Sequence, residues 1–183
     1  RIQKLAPDLT PLLSWGHRGK GPGELQEPAG IALGPGGEVL VADTWNGRVQ
    51  VFDAAGAYRR EWGTGALFSP RGIAVDADGT VFVADTGNHR IVRYDRDGVK
   101  ELEWGGRGAA PGQLFEPIGL ALDPRKGTLV VCDNGNGRLQ VFTRDGKLVG
   151  GFPVPGWRSA ALSEPYVVVS DETFWVTVPA EIA

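Results

Sequence analysis

Residues Glu27 to Gly56 read EPAGIALGPGGEVLVADTWNGRVQVFDAAG, and the same string returns twice with small changes. From Ser69 to Gly98 it is SPRGIAVDADGTVFVADTGNHRIVRYDRDG, and from Glu116 to Gly146 it is EPIGLALDPRKGTLVVCDNGNGRLQVFTRDG. Aligned prolines at Pro28, Pro70, Pro117 and Pro165 lie 42, 47 and 48 residues apart. A repeat of that length, punctuated by turn residues every ten positions or so and without apolar residues at helical spacing, predicts a blade of four short strands.

Each unit has its own internal logic. GIALG, GIAVD and GLALD are short, apolar and almost free of charge, as expected of an innermost strand crowded around a central axis. EVLVAD, TVFVAD and TLVVCD follow as a second buried strand rich in β-branched residues. RVQVFD, RIVRYD and RLQVFT alternate polar and apolar residues, which predicts a strand nearer the rim with one face toward water. A fourth, more polar strand closes on Trp15, Trp62, Trp104 and, in the last unit, Phe152, aromatics expected to plug the grooves between blades. Glycines in the hairpin turns supply positive φ, and the Asp and Asn of DTWNGR, DTGNHR and DNGNGR hold a wider loop by bonding their own backbone.

Composition narrows the function classes. The chain has 183 residues, 42% of them hydrophobic, enough for one domain with a real core. With 19 basic against 22 acidic residues there is no global basic field, so nucleic acid is not an expected partner. No apolar run is long enough to span a membrane and no signal sequence opens the chain, so no membrane contact is expected from this segment. A start at Arg1 and the absence of methionine suggest a piece of something longer. The one cysteine, Cys132, sits within a strand as a small buried residue. Two histidines, His17 and His89, fall in different kinds of link and cannot build a catalytic zinc site, so no cofactor is expected. Calcium near the axis, held by backbone carbonyls and Asp side chains, is the metal this composition is compatible with.

The recurring Trp-Gly, glycine-rich link, Pro-x-Gly-Ile-Ala, Val-Ala-Asp, Asn-x-Arg and Val-Phe-Asp elements resemble the NHL repeat, in that family's order. The resemblance implies an all-β β-propeller of four-stranded antiparallel blades, with four repeats at about 16–62, 63–104, 105–152, and 153–183 plus 1–15 as a single domain. The fourth repeat is degenerate, with Val167 in place of glycine, Pro179 of aspartate and Ile182 of asparagine. NHL propellers commonly have about six blades, and the resemblance implies a non-catalytic binding, sensor or scaffold module for a protein or small ligand, favouring an extracytoplasmic bacterial domain of a larger chain. The alternative is a metal-dependent hydrolase or lyase with a site near the axis, as in related propellers.

Asp43, Asn46 and Arg48, with Asp85, Asn88 and Arg90, and Asp133, Asn136 and Arg138, occur in every strong repeat, so they read as structural clamps rather than a unique site. Candidate ligand-binding residues are those that differ between blades: Trp45, Arg71, His89 and Tyr166, all expected on one face of the ring. Together they would form an aromatic and basic patch suited to a protein, an anion or a carbohydrate, against the plain reading that they merely fill loops. The glycine-rich links WGHRGKGPGE and WGGRGAAPGQ lack the strand, loop and helix order of a phosphate cradle.

The ends match each other. RIQKL at residues 1–5 resembles the third strand RIVRY, and the last unit ends in a second strand, so the N-terminal strand is expected to complete the last blade. Aligning Trp175–Ala183 with Val81–His89 makes the join gapless. Closure within one chain is the favoured arrangement; self-association through the open blade is another way to cover the edge, and the plain alternative is a longer propeller cut at an arbitrary point, whose ends match because any such blade accepts another's strand.

Overall fold

A computed structural model describes residues 1–157, 165–170 and 173–177. Among these the chain is all-β, its only helical turns being three-residue 3-10 segments. Three complete antiparallel sheets follow one another. The first blade holds β3 (Pro28–Leu33), β4 (Val39–Asp43), β5 (Arg48–Phe52) and β6 (Tyr58–Trp62) in that order. The second holds β7 (Pro70–Val75), β8 (Val81–Asp85), β9 (Arg90–Tyr94) and β10 (Lys100–Gly105), and the third β11 (Pro117–Asp123), β12 (Thr128–Asp133), β13 (Arg138–Thr143) and β14 (Leu148–Pro153). Two hairpins flank them: β1 (Ile2–Leu5) with β2 (Pro11–Trp15), and β15 (Val167–Ser170) with β16 (Thr173–Val176).

Register makes the flanking hairpins half-blades. Ile2 stands opposite Trp15 as Val49 stands opposite Trp62 and Ile91 opposite Trp104, so β1 and β2 are a third and a fourth strand. β15 and β16 are a first and a second.

Aromatic plugs and glycines hold neighbouring blades together. Trp15, Trp62 and Trp104 each meet the third strand of the next blade, at Phe52, Tyr94 and Phe142, with every pair of ring centroids 6.0 Å apart. Phe152 stacks on Phe174 instead. The tryptophans are half-buried rather than enclosed, since the plug lies toward the rim. At the inner end a Cβ on Gly30, Gly72 or Gly119 would lie closer than 3.0 Å to the carbonyl oxygen of Arg71, Ile118 or Pro165 in the following blade. Only glycine permits inner strands to nest at that distance.

The third strand departs from the expected alternation. Every residue of β5 is buried, because Arg48 and Gln50 point into the link that precedes the blade rather than into water.

The fourth repeat is displaced by one residue from its proline alignment. Pro165, not Tyr166, presents the carbonyl that faces Gly119, and Val167, Val169, Phe174 and Val176 pack against the third blade. Val168 pairs with Trp175 as Ala74 pairs with Phe82, so Trp175 corresponds to Phe82 and not to Val81. Tyr166, not Val167, therefore stands in the glycine position. A slip of one residue turns a strand over, and the alignment that made the closing join gapless is off by that residue.

Among the described residues the closing pair is not formed. β1 bonds only to β2 and β16 only to β15, while inner-strand packing runs from β3 through β7 and β11 to β15 without a substantial return contact among the described residues. Along this series the two half-blades are the first and the last units, and Tyr166 of the last lines a cleft together with Ala29 and Trp45 of the first complete blade. Pro179 and Ile182 lie outside the described residues.

Candidate functional site

The link before each blade is tied down by the repeated clamp. Asp43 is fully buried and accepts hydrogen bonds from the backbone N–H of Gln26 at 2.7 Å, Asn46 Nδ2 at 2.8 Å and Arg48 Nε at 2.9 Å. Asp85 receives Phe68, Asn88 and Arg90, and Asp133 receives Phe115, Asn136 and Arg138, in the same way. The guanidinium then reaches over to the link: Arg48 donates to the carbonyls of Gly21 and Glu24, and Arg138 to those of Ala109, Ala110 and Gln113. Arg48 and Arg90 also reach fourth-strand carboxylates, Glu61 at 2.9 Å and Glu103 at 2.7 Å.

Two further clamp members escaped the sequence reading. Gln50 and Gln140 are buried, each donating to the clamp aspartate at 3.1 Å and accepting from a link glycine, Gly23 or Gly112. The signal was available: Val92 replaces them in the second blade, whose preceding link is the shorter GTGA.

The clamped links deliver Glu27, Ser69 and Glu116 in left-handed backbone, with φ of 51, 50 and 50°, just ahead of the inner strands. Beside Glu27 the chain opens into two adjoining clefts. One, of about 320 Å³, runs across the inner strands and is lined by Gly30, Gly72, Gly119, Arg71 and Tyr166 among others. The second, of about 250 Å³, is bounded by Glu27, Thr44, Trp45, Arg71 and Tyr166. Trp45 is 70% exposed and Tyr166 54% exposed.

Of the four candidate ligand residues, Trp45, Arg71 and Tyr166 thus converge from three blades onto one opening. His89 does not join them. It occupies the left-handed position that Gly47 and Gly137 hold in the other blades, accepts the Glu116 N–H at Nδ1 (3.1 Å), and packs on Phe115, which also carries the Arg107 guanidinium 5.2 Å from its ring centre. Its ring makes an inter-blade contact.

Other chemistry is thinly supplied. Burial pushes the Cys132 thiol up to about 12, far from a nucleophilic thiolate. Among the described residues no group of three or more His, Cys, Asp or Glu could hold a metal. The larger cleft has no carboxylate in its lining, while Glu27 borders the smaller one. His17 pairs with Glu24 at 3.1 Å.

The sequence profile described as "NHL repeat" matches residues 25–52, 69–94 and 116–142, one match for each complete blade. This chain belongs to the NHL-repeat β-propellers. Over 48 residues it is 48% identical to Protein lin-41 of Caenorhabditis elegans, covering 26% of this chain and 4% of that protein. Over 51 residues it is 39% identical to E3 ubiquitin-protein ligase TRIM71 of Rattus norvegicus, covering 28% and 6%. The NHL chain therefore spans a small part of these curated relatives, and both are animal proteins that lend no support to a bacterial, extracytoplasmic setting.

Solved structures agree on the fold. A streptogramin B lyase superposes with a TM-score of 0.65 at 19% identity over 82% of this NHL chain and 48% of that one. A chain of a nidogen/laminin complex gives 0.65 at 26% identity over 84% and 56%. A catalytically inactive H270A virginiamycin B lyase from Staphylococcus aureus with quinupristin gives 0.69 at 17% identity over 95% and 55%. The superposed part amounts to about half of each of these propeller chains.

Proposed function

We propose that this NHL chain is a non-catalytic binding module that presents the opening formed by Trp45, Arg71, Tyr166 and Glu27 to a protein partner. The observation that carries the reading is the convergence of two exposed aromatics and an arginine, each from a different blade, onto adjoining clefts. Tyr, Trp and Arg are the residue types over-represented where a few contacts dominate protein binding. The nidogen/laminin complex provides a neighbouring structure in which a protein of this shape belongs to a protein assembly. A hydrolytic or lyase reading has less support, since both histidines and the cysteine are engaged or buried and no carboxylate lines the larger cleft.

The test is selection of binding peptides from a random library on the immobilised chain, followed by affinity measurement on Trp45→Ala, Tyr166→Ala and Lys147→Ala. Selected peptides should lose about tenfold or more in affinity with either of the first two and none with the third. Binders indifferent to Trp45 and Tyr166 would place the binding surface elsewhere.

A further inference from the structure

The innermost strands β3, β7 and β11 each stand at one edge of their sheet, with no strand beyond them among the described residues. The cleft of about 320 Å³ is lined by residues of these three strands and by Tyr166 just before β15. Peptide groups along an open strand edge keep hydrogen-bonding capacity that a ligand can take up. At Gly30, Gly72 and Gly119 the wall is backbone alone.

The other wall residues sort by depth. Counted along each inner strand from its proline, Ala29 and Arg71 stand at the second position, and Ile31, Ile73 and Leu120 at the fourth. The smaller cleft reaches only the first two positions of β3, beside Glu27 and Trp45, so it forms the mouth and the aliphatic residues lie beyond it. Ala29, Arg71 and Tyr166 line both clefts and mark the neck between them.

Arg71 is the only charged residue in the lining of the larger cleft, and past it the walls are glycine and aliphatic side chains. A guanidinium at the head of an apolar cleft is matched by a carboxylate, which it can bond through two parallel N–H groups. The cavity is at the small end of ligand-sized pockets, so it takes the tip of a chain and not a folded segment.

We propose that this neck captures the free C-terminal carboxylate of a protein partner at Arg71. The partner's last side chain, an aliphatic one, points inward among Ile31, Ile73 and Leu120, and the preceding residues leave between Trp45 and Tyr166. This rests on the reading of the opening as a protein-binding site and adds which part of the partner enters it. A small aliphatic acid shares the chemistry at Arg71. What favours a peptide is the mouth, because Trp45 and Tyr166, both exposed, stand beyond the point where a small acid would end. Glu27 borders the mouth and not the larger cleft, so it selects against acidic residues behind the terminus. The site is built from inner strands and owes nothing to the outer strands that the two half-blades lack.

Random peptides displayed with a free C-terminus, and a second library with that end blocked, are selected on the immobilised protein. Binders should come from the first library and end in Leu, Ile or Val. Synthesised as acids and as C-terminal amides, they should lose about tenfold or more in affinity on amidation. Arg71→Gln should weaken the acids to the level of the amides and leave the amides unchanged. Ala29→Glu, which brings a carboxylate to the same neck, should weaken acids more than amides. Circular dichroism checks the fold of both variants, and the acid and amide comparison on the parent protein needs neither. Equal affinity of acid and amide for the parent would overturn the proposal, and the opening would stand as a protein-binding site if Trp45→Ala still abolished binding. Binders from the blocked library alone would overturn it in the same way. N-Acetylleucine binding as tightly as the peptides would also overturn it, since the neck would then be a site for small acids. Absence of binders from both libraries would overturn it together with the reading on which it rests.

Discussion

Gly72 and Ile118 meet across the groove between the second and third blades so closely that a Cβ on Gly72 would lie within 3.0 Å of the Ile118 carbonyl oxygen. Backbone cannot move aside there without separating β7 from β11, because the contact repeats at Gly30 with Arg71 and at Gly119 with Pro165. Gly72→Ala should cost about 3 kcal/mol in urea unfolding, the upper range for overpacking a core. A cost below about 0.5 kcal/mol would mean that the inner strands slide freely.

Trp104 sits between the second and third blades with its ring 6.0 Å from Phe142 and 6.3 Å from Phe82, while its indole N–H has no hydrogen-bond partner among the described residues. Its contribution is therefore apolar contact. Trp104→Ala should destabilise by about 3 kcal/mol, the low end for a large aromatic because the ring is only half-buried. Trp104→Phe should cost about 1 kcal/mol, since it keeps the ring and gives up no hydrogen bond. Equal losses for the two variants in thermal or urea unfolding would contradict this assignment.

The clamp aspartates should differ in importance. Asp43 is fully buried against an Arg48 side chain that is 5% exposed and shares Asp43 with Gln50, whereas Arg90 opposite Asp85 is 25% exposed and has Val92 in place of the glutamine. Asp43→Ala removes the acceptor shared by Arg48 Nε, Asn46 and Gln50 and leaves Arg48 only the Glu61 carboxylate as counter-charge, so it should cost about 3 kcal/mol, with Asp85→Ala costing less. Denaturant midpoints in the reverse order would show that link length, not burial, governs these clamps.

Blades two and three are also joined by Asp78 and Arg144, 2.7 Å apart on the turns opposite the candidate site. The Arg144 hydrogen bond, with that from the Thr80 backbone, draws the Asp78 carboxyl down to about 2 from 3.8. A carboxylate whose value is depressed on folding stabilises the protein above its unfolded value and loses that contribution as pH falls through the folded one. Asp78→Asn should therefore lower the melting temperature slightly near neutral pH and flatten its decline between about pH 4 and pH 2. Because Asp78 is largely exposed, the effect is small and should shrink further in high salt. Parallel acid limbs for the variant and the parent would exclude the pair from this transition.

Much of the architecture was legible in residue types. Turn glycines announced their positive φ, which Gly56, Gly98 and Gly146 adopt, and Trp-Gly marked the ends of β2, β6 and β10. The β-branched content of the second strands placed Val41, Val83 and Val131 in the core. The candidate site was legible in part: Trp45, Arg71 and Tyr166 stood out as residues that vary between blades, and they share one opening. His89 stood out by the same criterion, yet its ring turns to Phe115, because a left-handed backbone at that position aims the side chain at the next blade. Gln50 and Gln140 were hidden by the alternation rule, which assigns a polar residue on an outer strand to water.

By itself the sequence determined the repeat, the strand order within a blade and the aromatic plug, since each depends on neighbours within a few residues or on a period that returns three times. Tertiary structure alone decided which face of the last hairpin is buried and whether the ring closes. Strand residues differing by one position point to opposite faces, and a degenerate repeat tolerates either register. Only the fit of Val167, Val169, Phe174 and Val176 against the third blade resolves that choice. It leaves Trp175 facing outward and Tyr166 in a place the other blades reserve for glycine.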